Sequence, residues 1–261
     1  MTPRLFVESE LAAGIEASLN DSQVHYLRHV LRRSDGALLR LFNGSDGEWA
    51  GTFEPRGKKA GVARIGERLR EQDVAPDLWL CFAPVKKARI DYVAEKATEL
   101  GVALLQPVLT QHTNVERVNV ERLRANAIEA AEQTERLTVP EVCPAIPLDR
   151  LLREWPSRRR LLICDESGEG RPIADVLSTL DESAKTAPWA ILVGPEGGFD
   201  AAELEALRRM KDVMAVGLGP RILRADTAAL AALACWQALV GDWRQPTARL
   251  LADYRISRGS F

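Results

Sequence analysis

Four cysteines in 261 residues, Cys81, Cys143, Cys164 and Cys235, form no Cys-x-x-Cys pair. Only three histidines could add imidazole ligands, and His25 with His29, four apart on an expected helix, do not complete a set alone. No metal is expected, and the cysteines read as reduced, buried small hydrophobes of a cytosolic protein. The longest apolar stretch, residues 228–240, is too short to span a bilayer and is flanked by Arg224, Asp226 and Asp242. Met1, Thr2, Pro3 and Arg4 precede no apolar core of the kind an export signal needs, so the expected location is cytoplasmic, with no membrane partner. Neither G-x-G-x-x-G nor Gly-Lys-Ser/Thr occurs, which removes the usual phosphate cradles of nucleotide enzymes. A net charge of −2 argues against a protein that coats nucleic acid by bulk charge.

What is present is a hydrophobic fraction of 46%, enough for a packed core, and local clusters of positive charge. Arg28, Arg32, Arg33 and Arg40 gather early, Lys58 and Lys59 follow, then Lys86, Lys87 and Arg89, and later Arg158, Arg159 and Arg160. Each cluster taken alone reads as a solvated face.

The chain changes character near residue 70. Before it, strand-like residues 4–7, a helical face over 21–32 (Val24, Leu27, Val30 and Leu31), and strands over 37–42, 48–53 and 60–69 are joined by Gly/Asn/Asp turns. Short strands with such turns suggest a small β-barrel. Residues 71–76 are polar and end in Pro76, as a linker would. Beyond them strands (78–82, 102–109, 161–164, 190–193, 213–218) alternate with helices (86–100, 120–137, 172–180, 200–210, 227–240). That alternation predicts a mostly parallel sheet covered on both faces. The last helix is apolar nearly all round, so it must be buried within the domain or in a dimer interface.

In such sheets ligands sit beyond the carboxyl ends of the strands. Two strands there run into unusual loops. One is Gly194, Pro195, Glu196, Gly197, Gly198 and Phe199, followed by Asp200 and Glu203 spaced as a capping box. The other is Gly219, Pro220, Arg221, Ile222, Leu223 and Arg224, with Asp226 and Thr227 opening the next helix. Glycine lets backbone groups approach a ligand closely, and without phosphate motifs a ligand held by backbone hydrogen bonds and apolar walls fits better than a nucleotide. Glu129, Glu132, Gln133 and Arg136 share one face of the 120–137 helix, beside Ala127, Ala130 and Ala131. A solvated stripe explains that face equally well.

The two loops, residues 194–199 and 218–228, resemble the cofactor-loop motifs of the RsmE family. Residues 99–102, 129–136 and 25–32 resemble further motifs of that family, in the right order along nearly the whole chain. Members are uracil-N3 methyltransferases of small-subunit (16S) rRNA within the SPOUT superfamily. The resemblance implies an α/β fold: a PUA-like RNA-binding β-barrel over residues 1–72, then a SPOUT methyltransferase domain over 73–261 whose parallel sheet carries a deep trefoil knot. It also implies S-adenosylmethionine as cofactor, 16S rRNA of the small ribosomal subunit as partner, and a homodimer with each active site near the subunit interface. Where Thr-Glu-Thr-Ala is usual this chain has Ala225, Asp226, Thr227 and Ala228, departing at the first two, and it departs at Leu123, often aromatic.

By the same resemblance Val193, Gly194, Glu196, Gly198, Leu218, Gly219, Ile222, Leu223 and Thr227 line the cofactor. Arg136 and Arg224 hold phosphate or the uracil oxygens, Glu132 and Asp226 are proton acceptors or orienters, and Arg28, Arg32 and Arg33 contact RNA phosphates. Helix N-capping explains Asp226 and Thr227 as well as a site role does. The rival readings are ribose 2′-O or guanine N1 methylation on the same fold, and a non-catalytic RNA-binding or ribosome-assembly factor.

Overall fold

The computed structural model describes residues 2–85, 87–115, 117–165 and 167–245, the side chains of Lys87 and Ala88 excepted. Lys86 of the third basic cluster lies outside the described residues. The described residues divide into two units, one of 2–74 with Ala131–Val139, the other of Ala75–Ala130 with 140–245.

The first unit contains β1 (Arg4–Phe6), β2 (Glu16–Leu19), α1 (Asp21–His25), β3 (Leu38–Phe42), β4 (Glu48–Pro55) and β5 (Gly61–Arg70). They form a five-stranded sheet in the order β1-β3-β4-β5-β2, antiparallel except for β1 on β3. Leu5, Leu27, Leu39, Leu41, Phe53 and Ile65 fill its core. Asn20 caps α1 through a capping box with Gln23. The expected 21–32 helix does not run through: Tyr26–Val30 is a π-helical turn and Arg32 takes φ 52°. Val24 and Leu27 point inward as predicted, but Val30 is 59% exposed, because the wider π turn rotates it off the apolar face.

Arg40, read as part of a surface cluster, is buried instead. It donates to Glu48 Oε2 at 2.7 Å and to Glu135 Oε1 at 2.9 Å, while Arg4 Nε donates to Glu48 Oε1 at 2.5 Å. Arg4 also donates to the carbonyls of Ala131 (2.6 Å) and Arg136 (2.7 Å), and its guanidinium lies 3.7 Å from the Phe42 ring centre. Phe42, Ala131 and Leu137 pack together beside it. These contacts hold residues 131–139 to β1, β3 and β4.

The second unit contains β6 (Leu78–Phe82), α2 (Lys87–Glu99), β7 (Leu104–Leu109), α3 (Val120–Gln133, its last turn in the first unit), β8 (Glu141–Val142), β9 (Ile146–Pro147) and α4 (Leu148–Arg153). It continues with β10 (Arg160–Cys164), β11 (Arg171–Pro172), α5 (Ile173–Ser178), α6 (Glu182–Lys185), β12 (Trp189–Val193), α7 (Ala201–Arg208), β13 (Val213–Gly217) and α8 (Ala225–Leu239). The sheet order is β11-β13-β10-β12-β6-β7-β8, with β9 also on β7, and every described pair is parallel. Period-two alternation explains why these strands are apolar throughout. Leu78, Leu80, Phe82, Trp189, Ile191 and Val193 face α2, α5 and α8. Trp79, Cys81, Ala190, Leu192, Leu161 and Ile163 face α4 and α7.

α2 buries Ile90, Val93, Ala94 and Ala97, and Gly101, at φ 89°, stops it. α8 buries Ala228, Ala229, Ala232, Leu233 and Trp236, and half-buried Cys235 packs against the same core, whereas Ala231 and Ala234 on its other side are half-buried and Ala238 is exposed. Of the cysteines only Cys81 is fully enclosed; Cys143, Cys164 and Cys235 are half-buried. Burial pushes the Cys81 thiol up to about 12, so it stays protonated and inert at neutral pH. Arg159 is buried too, paired with Asp77 and stacked 3.6 Å from the Trp79 ring centre, so the late basic cluster is not one solvated face. Among the described residues no helix is long and apolar enough to cross a membrane, and no group of three or more His, Cys or carboxylate side chains gathers.

Candidate active site

β12 and β13 flank β10 and run parallel, so the loops leaving their carboxyl ends open on the same edge of the sheet, on either side of β10. This is the position where open parallel sheets bind ligands.

The first loop is a tight turn. Gly198 N–H donates to Pro195 O at 3.0 Å, and Gly198 itself takes φ 70°, a left-handed conformation that favours glycine. Gly194 lies under Phe199, whose ring would stand 2.9 Å from any Cβ placed there. The expected capping box closes the loop: Asp200 accepts from Ala202 N–H, and Glu203 Oε2 accepts from Asp200 N–H at 2.9 Å. Val193 is buried in the core, Glu196 is exposed and Gly198 is buried.

The second loop carries Gly219 at φ 100°, with open space where a side chain would be. Leu218 and Leu223 pack against the core, while Ile222 is 95% exposed. α8 starts at Ala225 with Arg224 as its N-cap and no side-chain cap bond. Neither Asp226 nor Thr227 is the N-cap residue: both lie inside the first helical turn, Asp226 half-buried and Thr227 exposed. Asp226 Oδ1 nevertheless accepts from Thr227 N–H at 2.9 Å, the helix-end hydrogen bond that the structural reading expects. An acidic side chain there complements the helix dipole.

Arg89, near the start of α2, ties the two loops together. It pairs with Glu196 of the first loop, and its Nε lies 3.9 Å from Asp226 Oδ2, just after the second. A third segment joins from the end of β7. His112 Nδ1 is 3.1 Å from both Gly197 O and Gly198 O, and Gln111 N–H donates to Glu203 Oε1 at 2.8 Å. Neither Arg89 nor His112 was singled out for this site from the sequence. Arg89 stood in a lysine-rich run and His112 was a lone imidazole; no local pattern ties them to partners 107 and 85 residues away.

Glu132 and Arg136 belong to the first unit. The expected 120–137 helix stops at Gln133, and Glu135 takes φ 61°, so Arg136 lies past the helix end and shares no helical face with Glu132. Glu132 Oε1 accepts from Phe6 N–H at 2.8 Å, and Arg136 Nε donates to Thr138 Oγ1 at 2.9 Å. Arg28 donates to Gly57 O at 2.8 Å, and Arg32, Arg33, Lys58 and Lys59 are exposed. A cavity of about 780 Å³ lies between the start of α2 and the start of α3, walled by Val85, Ile90, Val118 and Leu123. None of the predicted site residues lines it, and its buried carboxylate, Asp91, is held by Arg122 through Nε at 2.9 Å.

The donor set of the two loops suits a ligand without phosphates. It offers three close-approach glycines (194, 198 and 219), apolar Leu218 and Leu223, and the carboxylates of Glu196 and Asp226, which suit positive charge.

Comparison with known proteins bears on the same residues. A family model described as RNA methyltransferase domain matches residues 72–237, and one described as RNA methyltransferase PUA domain matches 19–66. The Rickettsia conorii protein named ribosomal RNA small subunit methyltransferase E is 37% identical over 88% of this chain and 93% of its own length. The Synechocystis protein of the same name is 30% identical over 92% of this chain and 78% of its own. Among solved structures, ribosomal RNA small subunit methyltransferase E from Neisseria gonorrhoeae bound to S-adenosyl methionine superposes with TM-score 0.80 at 29% identity. That match covers 93% of this chain and all (100%) of that one. A methyltransferase from Legionella pneumophila, also with bound S-adenosylmethionine, gives TM-score 0.79 at 29% identity over 91% and 98%.

Proposed function

This chain belongs to the ribosomal RNA small subunit methyltransferase E family, and we propose that it methylates N3 of a uridine in 16S rRNA with S-adenosylmethionine as methyl donor. The observation that carries the reading is the pair of glycine loops at the ends of β12 and β13, linked by Arg89 to Glu196 and Asp226. Bound there, S-adenosylmethionine supplies an electrophilic methyl group on a sulfonium. Gly194, Gly198, Leu218, Gly219, Ile222, Leu223 and the backbone of Val193, Glu196 and Thr227 form its cradle.

N3 lies on the pairing edge of uracil, so the base must be unpaired or flipped out, and its imide proton must leave as N3 is methylated. Asp226 stands on the cradle and is our first choice as acceptor; Glu132, engaged by Phe6 N–H, is the second. Arg224, exposed at the head of α8, and Arg136 hold phosphate or the uracil oxygens, where negative charge develops. Residues 1–72 serve as the RNA-binding unit, joined by Ala131–Val139, with phosphate contacts from Arg28, Arg32 and Arg33; residues from 73 onward carry out methyl transfer. Asp226→Asn should lower kcat, measured at saturating S-adenosylmethionine, about tenfold or more. An unchanged kcat in single-turnover assays would pass the role to Glu132.

The trefoil knot and the homodimer belong to the same proposal. α8 follows β13 yet packs on α2 and beside β12, which supports a chain path back across the sheet. The half-buried small residues on its other side suit a second copy of the chain. A ribosome-maturation role places the protein in the cytoplasm.

Isothermal titration with S-adenosylmethionine, ATP and NAD, followed by nucleoside analysis of incubated rRNA, tests the reading. We expect uptake of S-adenosylmethionine alone, a base-methylated uridine in the digest, and a two-chain mass by light scattering. A ribose- or guanine-methylated product would move the chemistry to another SPOUT reaction. RNA binding with no cofactor uptake would leave a ribosome-assembly factor.

A further inference from the structure

The Gly197–Gly198 turn is gripped from outside by one side chain. Gly197 O and Gly198 O both lie 3.1 Å from His112 Nδ1. A carbonyl only accepts, so Nδ1 must carry the proton, and it does so in the Nδ1–H neutral tautomer and in the imidazolium alike. The two bonds fix two successive peptide planes. Because N–H and C=O point opposite ways across a peptide, they also set the directions of the Gly198 and Phe199 N–H groups. The Gly198 N–H is aimed at Pro195 O, which closes the turn. His112 lies directly against Gly197: a Cβ there would stand 3.4 Å from His112 Cβ, at van der Waals contact. The neighbouring Gln111 N–H holds Glu203, the residue that completes the capping box of α7. Segment 111–112 therefore touches the loop at its turn and at its exit.

We infer that His112 is a positioning residue for the cofactor loop: its Nδ1–H orders the Gly197–Gly198 backbone into the shape that accepts S-adenosylmethionine. The inference rests on the reading of that loop as the cofactor site. Ordering the loop before the ligand arrives lowers the entropy cost of binding, so the effect belongs in affinity and not in the methyl-transfer step.

His112→Ala removes both bonds, and His112→Asn keeps a donor, Nδ2, near the place of Nδ1. For two partly exposed hydrogen bonds we expect His112→Ala to raise the Kd and KM for S-adenosylmethionine about tenfold, with kcat at saturating cofactor within about twofold. His112→Asn should recover binding to within about threefold of the parent. Melting temperatures without cofactor serve as the control, and those of the two variants should agree. Equal affinity of the parent and His112→Ala overturns the role, as does an Asn variant that binds as poorly as Ala. A loss in kcat with unchanged KM also overturns it. No uptake by the parent protein would instead overturn the reading of the loop, and the role of His112 with it.

Discussion

Glu48→Ala should destabilise the protein by about 3–5 kcal/mol, the range found when one member of a buried ion pair is removed. Glu48 is wholly buried and accepts from two guanidiniums, Arg4 Nε at 2.5 Å and Arg40 at 2.7 Å. Both arginines are themselves buried, and neither can shed its charge as a lysine would. Desolvation pulls Arg4 below the usual guanidinium value even with Glu48 beside it. In Arg40, desolvation is outweighed by Glu48 and Glu135, which push it above. With Glu48 gone, Arg4 keeps the carbonyl acceptors of Ala131, Glu132 and Arg136 and the face of Phe42, and no carboxylate among these. Urea unfolding of parent and variant measures the loss. A change below about 1 kcal/mol is what an exposed ion pair would give, and it would mean that water reaches this cluster.

Gly198→Val should cut S-adenosylmethionine affinity at least about a hundredfold, the second large effect. At φ 70° a β-branched residue is strained by about 1–3 kcal/mol, and the loop can relieve that strain only by changing shape. Any change of shape breaks the turn bond from Gly198 N–H to Pro195 O and the carbonyl contacts with His112. Gly198→Ala, strained but unbranched, should fall between the parent and Val. Titration calorimetry reads all three. Unchanged affinity in the Val variant would mean that the cofactor is held elsewhere.

What could be read along the chain was what depends on near neighbours. β6, β10, β12 and β13 were legible because each is a short apolar run bounded by turn residues, and a strand buried on both faces has no other pattern. The Asp200–Glu203 capping box was legible for the same reason, since both partners lie within one helical turn. β2 was missed because Glu16 and Ser18 alternate with only Ala17 and Leu19, too short a signal to separate from a loop. The 120–137 helix was over-read because Leu137 continues the apolar spacing, while the left-handed φ of Glu135 leaves no local mark. Arg40 read as a surface charge because its second partner, Glu135, is 95 residues away. His112 and Arg89 escaped notice on the same ground, with partners 85 and 107 residues distant. The glycine loops were visible as loops; what clamps them was not.

The return of Ala131–Val139 to the N-terminal unit bears on heredity as much as on mechanics. A gene fragment ending near codon 74 would encode a sheet lacking Leu137 against Phe42 and the carbonyls that receive Arg4. Its translated product would display an apolar patch and a poorly solvated cation, features that quality-control proteases and chaperones act on. A recombination break at the linker would separate Arg4 and Phe42 from the segment that covers them. Selection is therefore expected to disfavour breaks at the linker, because each half is left with contacts that the other supplied.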